Sequence, residues 1–239
     1  MSAVVRHWSR NALIAAGVLL IVPAAAIFAL RWFAPPISAY MLWTRWSQSA
    51  SPAEVAGVYY HWVAIEDMSA CMPLAVVAAE DQTFPYHRGF AWAALRGAMS
   101  SNLVGGGGGI RGASTISQQT AKNLFLWPAR SYVRKMVEGY LTLWLELLWP
   151  KRRILEMYLN IAQFGPRVFG VGAAAKHLFG TTAGHLNANQ CAALAAVLPS
   201  PTHFNAAAPS AYIKRRIRWI RQQMRQLGSG YLAPVLASQ

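Results

Sequence analysis

A run of nineteen residues without a charge, 12–30, constrains this chain more than any other feature. As a helix the run would be about 28 Å long at roughly 1.5 Å per residue, which matches the hydrocarbon core of a bilayer. Arg6 and Arg10 precede it. Because positive charge is retained on the cytoplasmic side of a membrane, we predict that residues 1–11 form a cytoplasmic tail and that the rest lies outside.

A cleaved signal peptide is the alternative, because the alanines at 24–26 offer small residues for cleavage. The apolar run is long for a signal peptide and continues past those alanines. Both features favour an uncleaved membrane anchor that spans residues 12–33. The aromatic-rich segment 34–60 would then lie close to the membrane, and residues 61–230 would form the extracytoplasmic domain.

The charge of the chain limits the classes of partner. Only eight of the 239 residues are acidic, and the formal net charge is +14. Such a field attracts the phosphates of nucleic acids, lipid headgroups or phosphorylated substrates. With the domain outside the membrane, we expect membrane lipids and a lipid-linked phosphate as partners and no nucleic acid. Five of the eight acids lie between residues 80 and 156, which indicates acid/base chemistry in that region.

Helical periodicity dominates the chain after residue 70 and predicts a mainly α fold. The spacing predicts helices over residues 73–80, 91–103, 131–149, 151–162, 171–179, 187–198 and 210–227. No segment is rich in strand signals. Five consecutive glycines at 105–109 predict a loop, either loose at the surface or a flap that orders over a substrate.

Two features of the chain have a structural and a functional interpretation. Helix 210–227 carries an apolar stripe beside six cations, and it either packs on the core with its cations in solvent or also lies on an anionic membrane. Core packing is the preferred interpretation. Cys71 and Cys191 lie 120 positions apart, and we predict buried thiols in preference to a disulfide.

Five blocks of sequence carry the chemistry. They are EDQTFPYHRG at 80–89, GASTISQQ at 112–119, RKMVE at 134–138, ILEMYLN at 154–160 and AALAAVLPSP at 192–201. In this order and spacing they closely resemble the peptidoglycan glycosyltransferases, which are the polymerase domains of bifunctional penicillin-binding proteins and their monofunctional relatives. The resemblance covers residues 35–205 or so. Neither Ser-x-x-Lys nor Lys-Thr-Gly occurs, which predicts the monofunctional form.

The resemblance implies a lysozyme-like, mainly α glycosyltransferase domain preceded by one N-terminal transmembrane helix. It implies that lipid II is polymerised into β-1,4-linked glycan strands with inversion and release of undecaprenyl pyrophosphate. The partners would be lipid II, glycan linked to undecaprenyl pyrophosphate and other proteins of cell-wall synthesis. The location would be the bacterial inner membrane, with a single pass and the catalytic domain on the periplasmic side.

The resemblance also implies roles for individual residues. Glu80 matches the general base, and burial at the end of a helix should raise the pKa of its carboxyl. Glu138 matches the second glutamate, which would organise nearby cations or hold a divalent metal, Mg²⁺ or Mn²⁺, with no organic cofactor. A surface ion pair between Arg134 and Glu138 is the alternative interpretation. The cations expected at the donor pyrophosphate are Lys122, Arg130, Arg134 and Lys135.

Polar residues of the second block match contacts to sugar and phosphate oxygens: Ser114, Thr115, Gln118 and Gln119. Ser114 or Thr115 would also serve as a helix cap. A further set is predicted to support the site without reacting: Asp81, His87, Glu146, Glu156 and Asn160. Five positions depart from the usual family pattern, and they leave open how firmly the first block is braced: Thr83, Ala91, Gln163, Gly172 and Gln190.

Two other functions fit parts of the pattern. A lysozyme-like muramidase would use a protonated acid and a positioned water, but its neutral leaving group has no need of several fixed cations. An inactive scaffold for cell-wall synthesis would account for the five departures. The sequence favours the glycosyltransferase.

Overall fold

The mainly α prediction is confirmed by a computed structural model, which describes residues 11, 17, 21–47, 57–91, 114–129 and 131–238. Residues 21–29 are helical and are called α1 here. The other helices are α2 Ala39–Ser47, α3 Cys71–Glu80, α4 Ile116–Phe125, α5 Tyr132–Leu148, α6 Lys151–Ile161, α7 Gly170–Phe179, α8 Ala188–Val197, α9 Ala211–Leu227 and α10 Ala233–Leu236. Short 3-10 turns cover Ile65–Asp67 and Ala183–His185.

Most predicted helices agree with the observed ones to within two residues. The caps explain this agreement. Ser131, Asn187 and Ser210 cap the starts of α5, α8 and α9, each accepting a hydrogen bond from a backbone amide of the first turn. Gly180 ends α7 with φ 64°, a conformation that favours glycine. Residues 92–103 of the predicted helix 91–103 and the glycine loop 105–109 lie outside the described residues.

A small sheet was not predicted. Its strands are β1 Tyr59–Tyr60, β2 Gln163–Gly165 and β3 Val168–Phe169, in the order β1-β3-β2. β1 runs parallel to β3, pairing Tyr59 with Val168, and β2 runs antiparallel to β3 with an irregular register. Strands of two or three residues are too short for an alternating pattern to be read from the sequence.

The core is formed where α3 and α8 pack against each other and against α9. On the other side of the domain, α4 packs on α2, α5 and α6. α6 is buried from Ile154 to Ile161. Because α3 and α4 lie at the centre of these contacts, residues at the end of α3 and along α4 are held by the most buried part of the domain.

Cys71 and Cys191 form a disulfide, so the prediction of two buried thiols was wrong. Cys71 is the first residue of α3, and Cys191 lies in the first turns of α8. The packing of α3 on α8 brings their Cα atoms to 6.0 Å, which is within the range of disulfides. A separation of 120 positions carries no signal of this contact in the sequence. The bond therefore fixes the start of the helix that ends in Glu80.

Of the membrane anchor predicted at 12–33, residues 12–16 and 18–20 lie outside the described residues. Among the helices that are described, none has both the length and the apolar character needed to cross a bilayer. Residues 27–33 are tied to the domain. The indole of Trp149 donates to the carbonyl of Ile27 at 2.7 Å, and Arg153 donates to the carbonyls of Leu30 and Phe33 at 2.8–3.2 Å.

An apolar surface covers the outer side of α5. Only two leucines of this helix are fully buried, at 141 and 145. Six large apolar side chains face solvent instead: Tyr132, Val133, Met136, Val137, Leu143 and Leu147. The guanidinium of Arg31 donates to the carbonyl of Leu148 at 3.3 Å, so the exposed rings of Trp32 and Phe33 lie beside the end of α5.

Candidate active site

Glu80 is the last residue of α3, and its carboxylate is held by two other helices. Gln119 of α4 donates from Nε2 to Oε2 of Glu80 at 3.1 Å. The hydroxyl of Tyr158 in α6 donates to Oε1 of Gln119 at 3.0 Å, which orients the amide. On the other side, Nη2 of Arg216 lies 3.3 Å from Oε1 of Glu80. The carboxylate is therefore fixed in direction but keeps a small exposed area.

Two opposing influences act on the ionisation of Glu80. Burial raises the pKa of its carboxyl, while the hydrogen bond from Gln119 and the charges of Arg216 and Lys122 lower it. Burial is the largest of these, so the pKa lies above that of an ordinary glutamate. A carboxylate with a raised pKa is a stronger base, and the opposing cations favour its ionised form.

Arg216 was expected in solvent with the other cations of α9, and the structure places it against Glu80 instead. Ile213, Ile217, Ile220 and Met224 pack in the core as predicted. Arg216 lies at the edge of that buried stripe and reaches back to α3. Its Nε is buried and has no hydrogen-bond partner among the described residues. A contact across 136 positions leaves no local signal in the sequence.

Asp81 braces the loop that follows Glu80. Its Oδ2 accepts from the backbone amide of Ile116 at 3.0 Å and lies 2.8 Å from Nε2 of His87. Thr83, one of the departures from the family pattern, donates to Oδ1 of Asp81 at 3.3 Å. Glu146 lies beside this loop and binds Ser117 and Lys151. The first block is therefore firmly held, and these contacts are those of a scaffold, as predicted for Asp81, His87 and Glu146.

Glu138 is the centre of a cation cluster. The side chain lies on α5 and is 2% exposed. Nη1 of Arg134 lies 2.7 Å from Oε2 of Glu138, and Nζ of Lys135 contacts Oε1. Arg134 also donates from Nε to the carbonyl of Ala129 at 2.5 Å. The carboxylate of Glu138 is buried and also contacts Lys135. The contact between Arg134 and Glu138 is therefore not the surface ion pair of the alternative interpretation.

Lys122 is close enough to both glutamates to feel their charges. Burial lowers the pKa of its ammonium, which also feels the charges of Glu138, Arg134, Lys135 and Glu80. Its ammonium forms no hydrogen bond or ion pair within the part of the chain that the structure describes. Lys122, Arg134 and Lys135 carry three positive charges around one carboxylate. This surplus is suited to a doubly charged anion such as a pyrophosphate.

The polar residues of the second block do not share one environment. Ser114 is exposed, and Gln119 holds Glu80. Thr115 and Gln118 are buried in a capping box at the start of α4, and the hydroxyl of Thr115 also donates to the carbonyl of Gly89 at 2.6 Å. The predicted cap by Thr115 is confirmed. Contact of these four residues with a substrate stays a prediction, as does the role of Arg130, which lies outside the described residues.

The fourth block holds the segment that leads to α3. Glu156 accepts from the backbone amide of Ile65 at 3.1 Å, and Asn160 binds both the amide and the carbonyl of Val63 at 2.8 Å. Both side chains are buried. Gly172, another departure, lies against the same segment, and a Cβ there would come within 2.6 Å of the carbonyl of His61. An acidic residue could not stand at this position in this backbone.

The remaining departures also have local explanations where they are described. Gln163 is buried and donates to the carbonyl of Gly165 at 3.1 Å within the small sheet. Gln190 completes the capping box of α8 by accepting from the backbone amide of Asn187 at 2.9 Å. Nothing in the structure explains Ala91. None of these positions contacts Glu80 or Glu138, so the departures do not alter the two carboxylates.

The described residues do not fit a divalent metal at Glu138. Among them, no group of three or more His, Cys, Asp or Glu side chains lies close enough together to bind a metal ion. Both oxygens of Glu138 already face cations, which would repel a third. The metal therefore stays a prediction from the resemblance, and no step below depends on it.

The arrangement separates two chemical tasks. A buried carboxylate of raised pKa lies at one end, where it is able to accept a proton. A surplus of fixed positive charge lies at the other end, where it is able to stabilise an anionic leaving group. Lys122 feels the charges of both glutamates. This is the geometry of group transfer from an anionic donor to a neutral hydroxyl.

Comparison with known proteins agrees with this geometry. Residues 50–225 match the family described as transglycosylase. The biosynthetic peptidoglycan transglycosylase of Xylella fastidiosa strain M12 is 46% identical over 227 residues, covering 94% of this chain and 92% of the relative. That of Shewanella frigidimarina strain NCIMB 400 is 49% identical over 208 residues, covering 87% of each. That of Stutzerimonas stutzeri strain A1501 is 48% identical over 219 residues, covering 92% and 87%. This chain therefore belongs to the transglycosylase family.

Proposed function

We propose that this chain is a peptidoglycan glycosyltransferase that polymerises lipid II into β-1,4-linked glycan strands. The observation that carries the proposal is the pairing of a buried, oriented carboxylate at Glu80 with a cation cluster at Glu138, and the ammonium of Lys122 feels the charges of both. The donor is a glycan on undecaprenyl pyrophosphate, and the acceptor is lipid II. Both substrates combine amino sugars with a pyrophosphate, which are the groups that the two ends of the site suit.

In the transfer step, the 4-hydroxyl of the acceptor GlcNAc attacks the anomeric carbon of the donor MurNAc. Glu80 removes the hydroxyl proton as the new C–O bond forms. The bond to the pyrophosphate breaks on the opposite face of the sugar, so the configuration inverts. The pyrophosphate takes the electron pair, and its charge is stabilised by Lys122, Arg134 and Lys135. Gln119 keeps the carboxylate pointed at the acceptor during the transfer.

A muramidase would also profit from a carboxyl of raised pKa, because it needs a protonated acid at the leaving oxygen. The charge of Arg216 beside Glu80 opposes the protonated form. The leaving group of a muramidase is a neutral sugar, for which the three cations around Glu138 have no use. Both observations favour transfer over hydrolysis.

We propose further that the chain is bound to the bacterial inner membrane by a single N-terminal pass within residues 12–33. Residues 1–11 would lie in the cytoplasm, and the domain at 61–230 would lie on the periplasmic side. The apolar surface of α5, with Trp32 and Phe33 beside it, supports contact with a bilayer, because a soluble surface rarely exposes so many large apolar side chains together. This surface would hold the site close to its lipid-linked substrates. Other proteins of cell-wall synthesis remain proposed partners.

The test is lipid II polymerisation by the purified full-length chain in detergent, with a divalent metal present. Glu80→Gln keeps the size of the side chain and removes the base, so we expect a loss of about 10²–10⁴-fold in rate. Glu66→Gln is the matched control, because Glu66 is a surface residue whose side chain is 62% exposed. Both variants should melt at the temperature of the wild type, within a few degrees.

Several results would contradict the proposal. Retention of more than a few per cent of the rate by Glu80→Gln would exclude its role as the base. Release of fragments from purified cell wall, without consumption of lipid II, would establish the muramidase instead. No product from a folded wild-type chain would favour the inactive scaffold.

Membrane attachment has its own test. Ile27 is fully buried, so a truncation should stop before it. A chain lacking residues 1–20 should polymerise lipid II normally in detergent and more slowly in vesicles. Equal rates in vesicles would show that the anchor does not help the enzyme to reach its substrate.

A further inference from the structure

One side of α9 forms a stripe that has no role in the core. Its members are spaced by four, three, four and three residues and therefore lie on one side of the helix: Tyr212, Arg216, Trp219, Gln223 and Gln226. Two of them reach the loop of the base. Arg216 contacts Glu80, and Oε1 of Gln223 accepts from Nε2 of Gln82 at 3.0 Å. The stripe therefore borders the acceptor end of the site.

Trp219 lies between these two anchor points. It is three residues after Arg216 and four before Gln223, and such neighbours on a helix have Cβ atoms about 5–6 Å apart. The side chain is 45% exposed. The exposed part of this large ring therefore lies on the same side of α9 as the two side chains that reach the loop after Glu80, where it is open to a ligand.

A pair of tyrosines also flanks the loop that follows Glu80. The hydroxyl of Tyr231 donates to the carbonyl of Gln82. Its ring lies edge to face with that of Tyr86, at 6.1 Å between centroids. Tyr86 is 76% exposed. Gln82 thus has the amide of Gln223 on one side and the tyrosine pair on the other, and aromatic rings and amides surround the entrance to Glu80.

This combination suits a sugar. A pyranose ring presents C–H groups on its flat faces, which stack on an aromatic ring, and hydroxyl or acetamido groups at its edge, which bind amides. We propose that Trp219 and the Tyr86–Tyr231 pair form an aromatic rim that binds the amino-sugar rings of the acceptor. The inference rests on the proposed function, because that function requires an amino-sugar hydroxyl at Glu80. A half-exposed tryptophan would also suit a lipid headgroup region, which the experiment distinguishes.

The probe is a lipid-free tetrasaccharide of alternating GlcNAc and MurNAc, titrated calorimetrically into the full-length chain in detergent. Trp219→Leu keeps the apolar volume and removes the ring, and we expect it to weaken binding by about tenfold. Trp219→Phe keeps a ring and should lose less. Trp46→Leu is the control, because Trp46 is exposed on α2 and plays no part in the proposed rim.

A kinetic readout accompanies the titration. In lipid II polymerisation, Trp219→Leu should raise the KM for the acceptor by a similar factor and leave kcat nearly unchanged. Tetrasaccharide binding that is equal in wild type and Trp219→Leu would overturn the proposal. The proposal would also be overturned if Trp219→Leu weakened binding to vesicles of anionic phospholipid and left tetrasaccharide binding unchanged. If the wild type fails to polymerise lipid II but the ring of Trp219 still governs tetrasaccharide binding, the proposed function fails and the rim stands.

Discussion

Removal of the bond between Cys71 and Cys191 should cost the folded protein a large share of its stability. The bond joins residues 120 positions apart, and the loss of loop entropy in the unfolded chain corresponds to about 4.9 kcal/mol at 25 °C. Native disulfides commonly contribute less, roughly 2–4 kcal/mol. A chain of this size loses about 2–4 °C in midpoint per kcal/mol. The midpoint of thermal unfolding should therefore fall by roughly 4–16 °C.

The assay is thermal unfolding in detergent, followed by circular dichroism. Three samples are compared: the oxidised wild type, the wild type reduced with dithiothreitol, and the double variant Cys71→Ala/Cys191→Ala. Cys191 is fully buried, so the alanines also remove packed sulfur atoms. Reduction leaves both sulfurs in place. The shift that reduction produces therefore measures the cross-link, and any additional shift in the double variant measures the packing.

Two results would refute this reasoning. Titration of the denatured, unreduced protein from an oxidising compartment could find two free thiols, which would mean that the bond does not form. Alternatively, the oxidised and reduced wild type could unfold at the same temperature. Activity offers a separate check. Glu80 lies nine residues after Cys71, about 13 Å along α3 at roughly 1.5 Å per residue, so the reduced enzyme should keep its rate well below the midpoint.

Three further substitutions follow from the geometry of the site and its supports. Arg216→Gln removes a positive charge that opposes the effect of burial on Glu80, so the pKa of Glu80 should rise and the acid limb of the kcat/KM profile should move to higher pH; an unmoved limb would contradict the contact. Lys122→Ala should lower the rate of lipid II polymerisation on the order of 10²-fold. The melting temperature should not fall, because burial of this ammonium is itself unfavourable. An unchanged rate and an unchanged KM for the donor would exclude a role of Lys122 at the donor pyrophosphate. Gly170→Ala places a Cβ 2.4 Å from a carbonyl oxygen of α6, at a residue whose φ is 78°. It should cost more stability than Gly180→Ala, where φ is also positive, at 64°, but no atom lies within 4 Å of the new Cβ. Equal losses in thermal unfolding would count against the clash.

Local signals explain most of the agreement between the sequence and the structure. Helices α5 to α9 begin and end near the predicted residues, because caps such as Ser131 and Asn187 and breakers such as Gly180 act within a few positions. The two glutamates were predicted from motifs that are continuous in the sequence. Their surroundings depend on which helices pack together, and periodicity within one helix contains no such information.

Three parts of the structure were not predictable for that reason. Arg216 looked like one of six equivalent cations, and only the packing of α9 on α3 directs it to Glu80. The disulfide depends on the packing of α3 on α8. The apolar residues of α5 were correctly seen as a helical pattern, but an apolar stripe does not say whether protein or lipid covers it. In each case the structure depends on a contact between segments that are distant in the sequence, and the local sequence pattern does not contain that information.

The ion pairs of the acidic residues explain where the excess positive charge of the chain lies. Five of the eight acids pair with an arginine or a lysine, namely Glu66, Glu80, Glu138, Glu146 and Glu156, and Asp81 binds His87. Apart from Glu66, which is exposed, these carboxylates are used inside the domain or at its site, and few acids remain to balance the positive surface. Lys122 is a cation left without such a partner in the described structure, and its ammonium feels the charges of both Glu80 and Glu138. The same scarcity of acids that leaves the surface positive leaves the site with a surplus of positive charge, and a pyrophosphate is the ligand that would remove it.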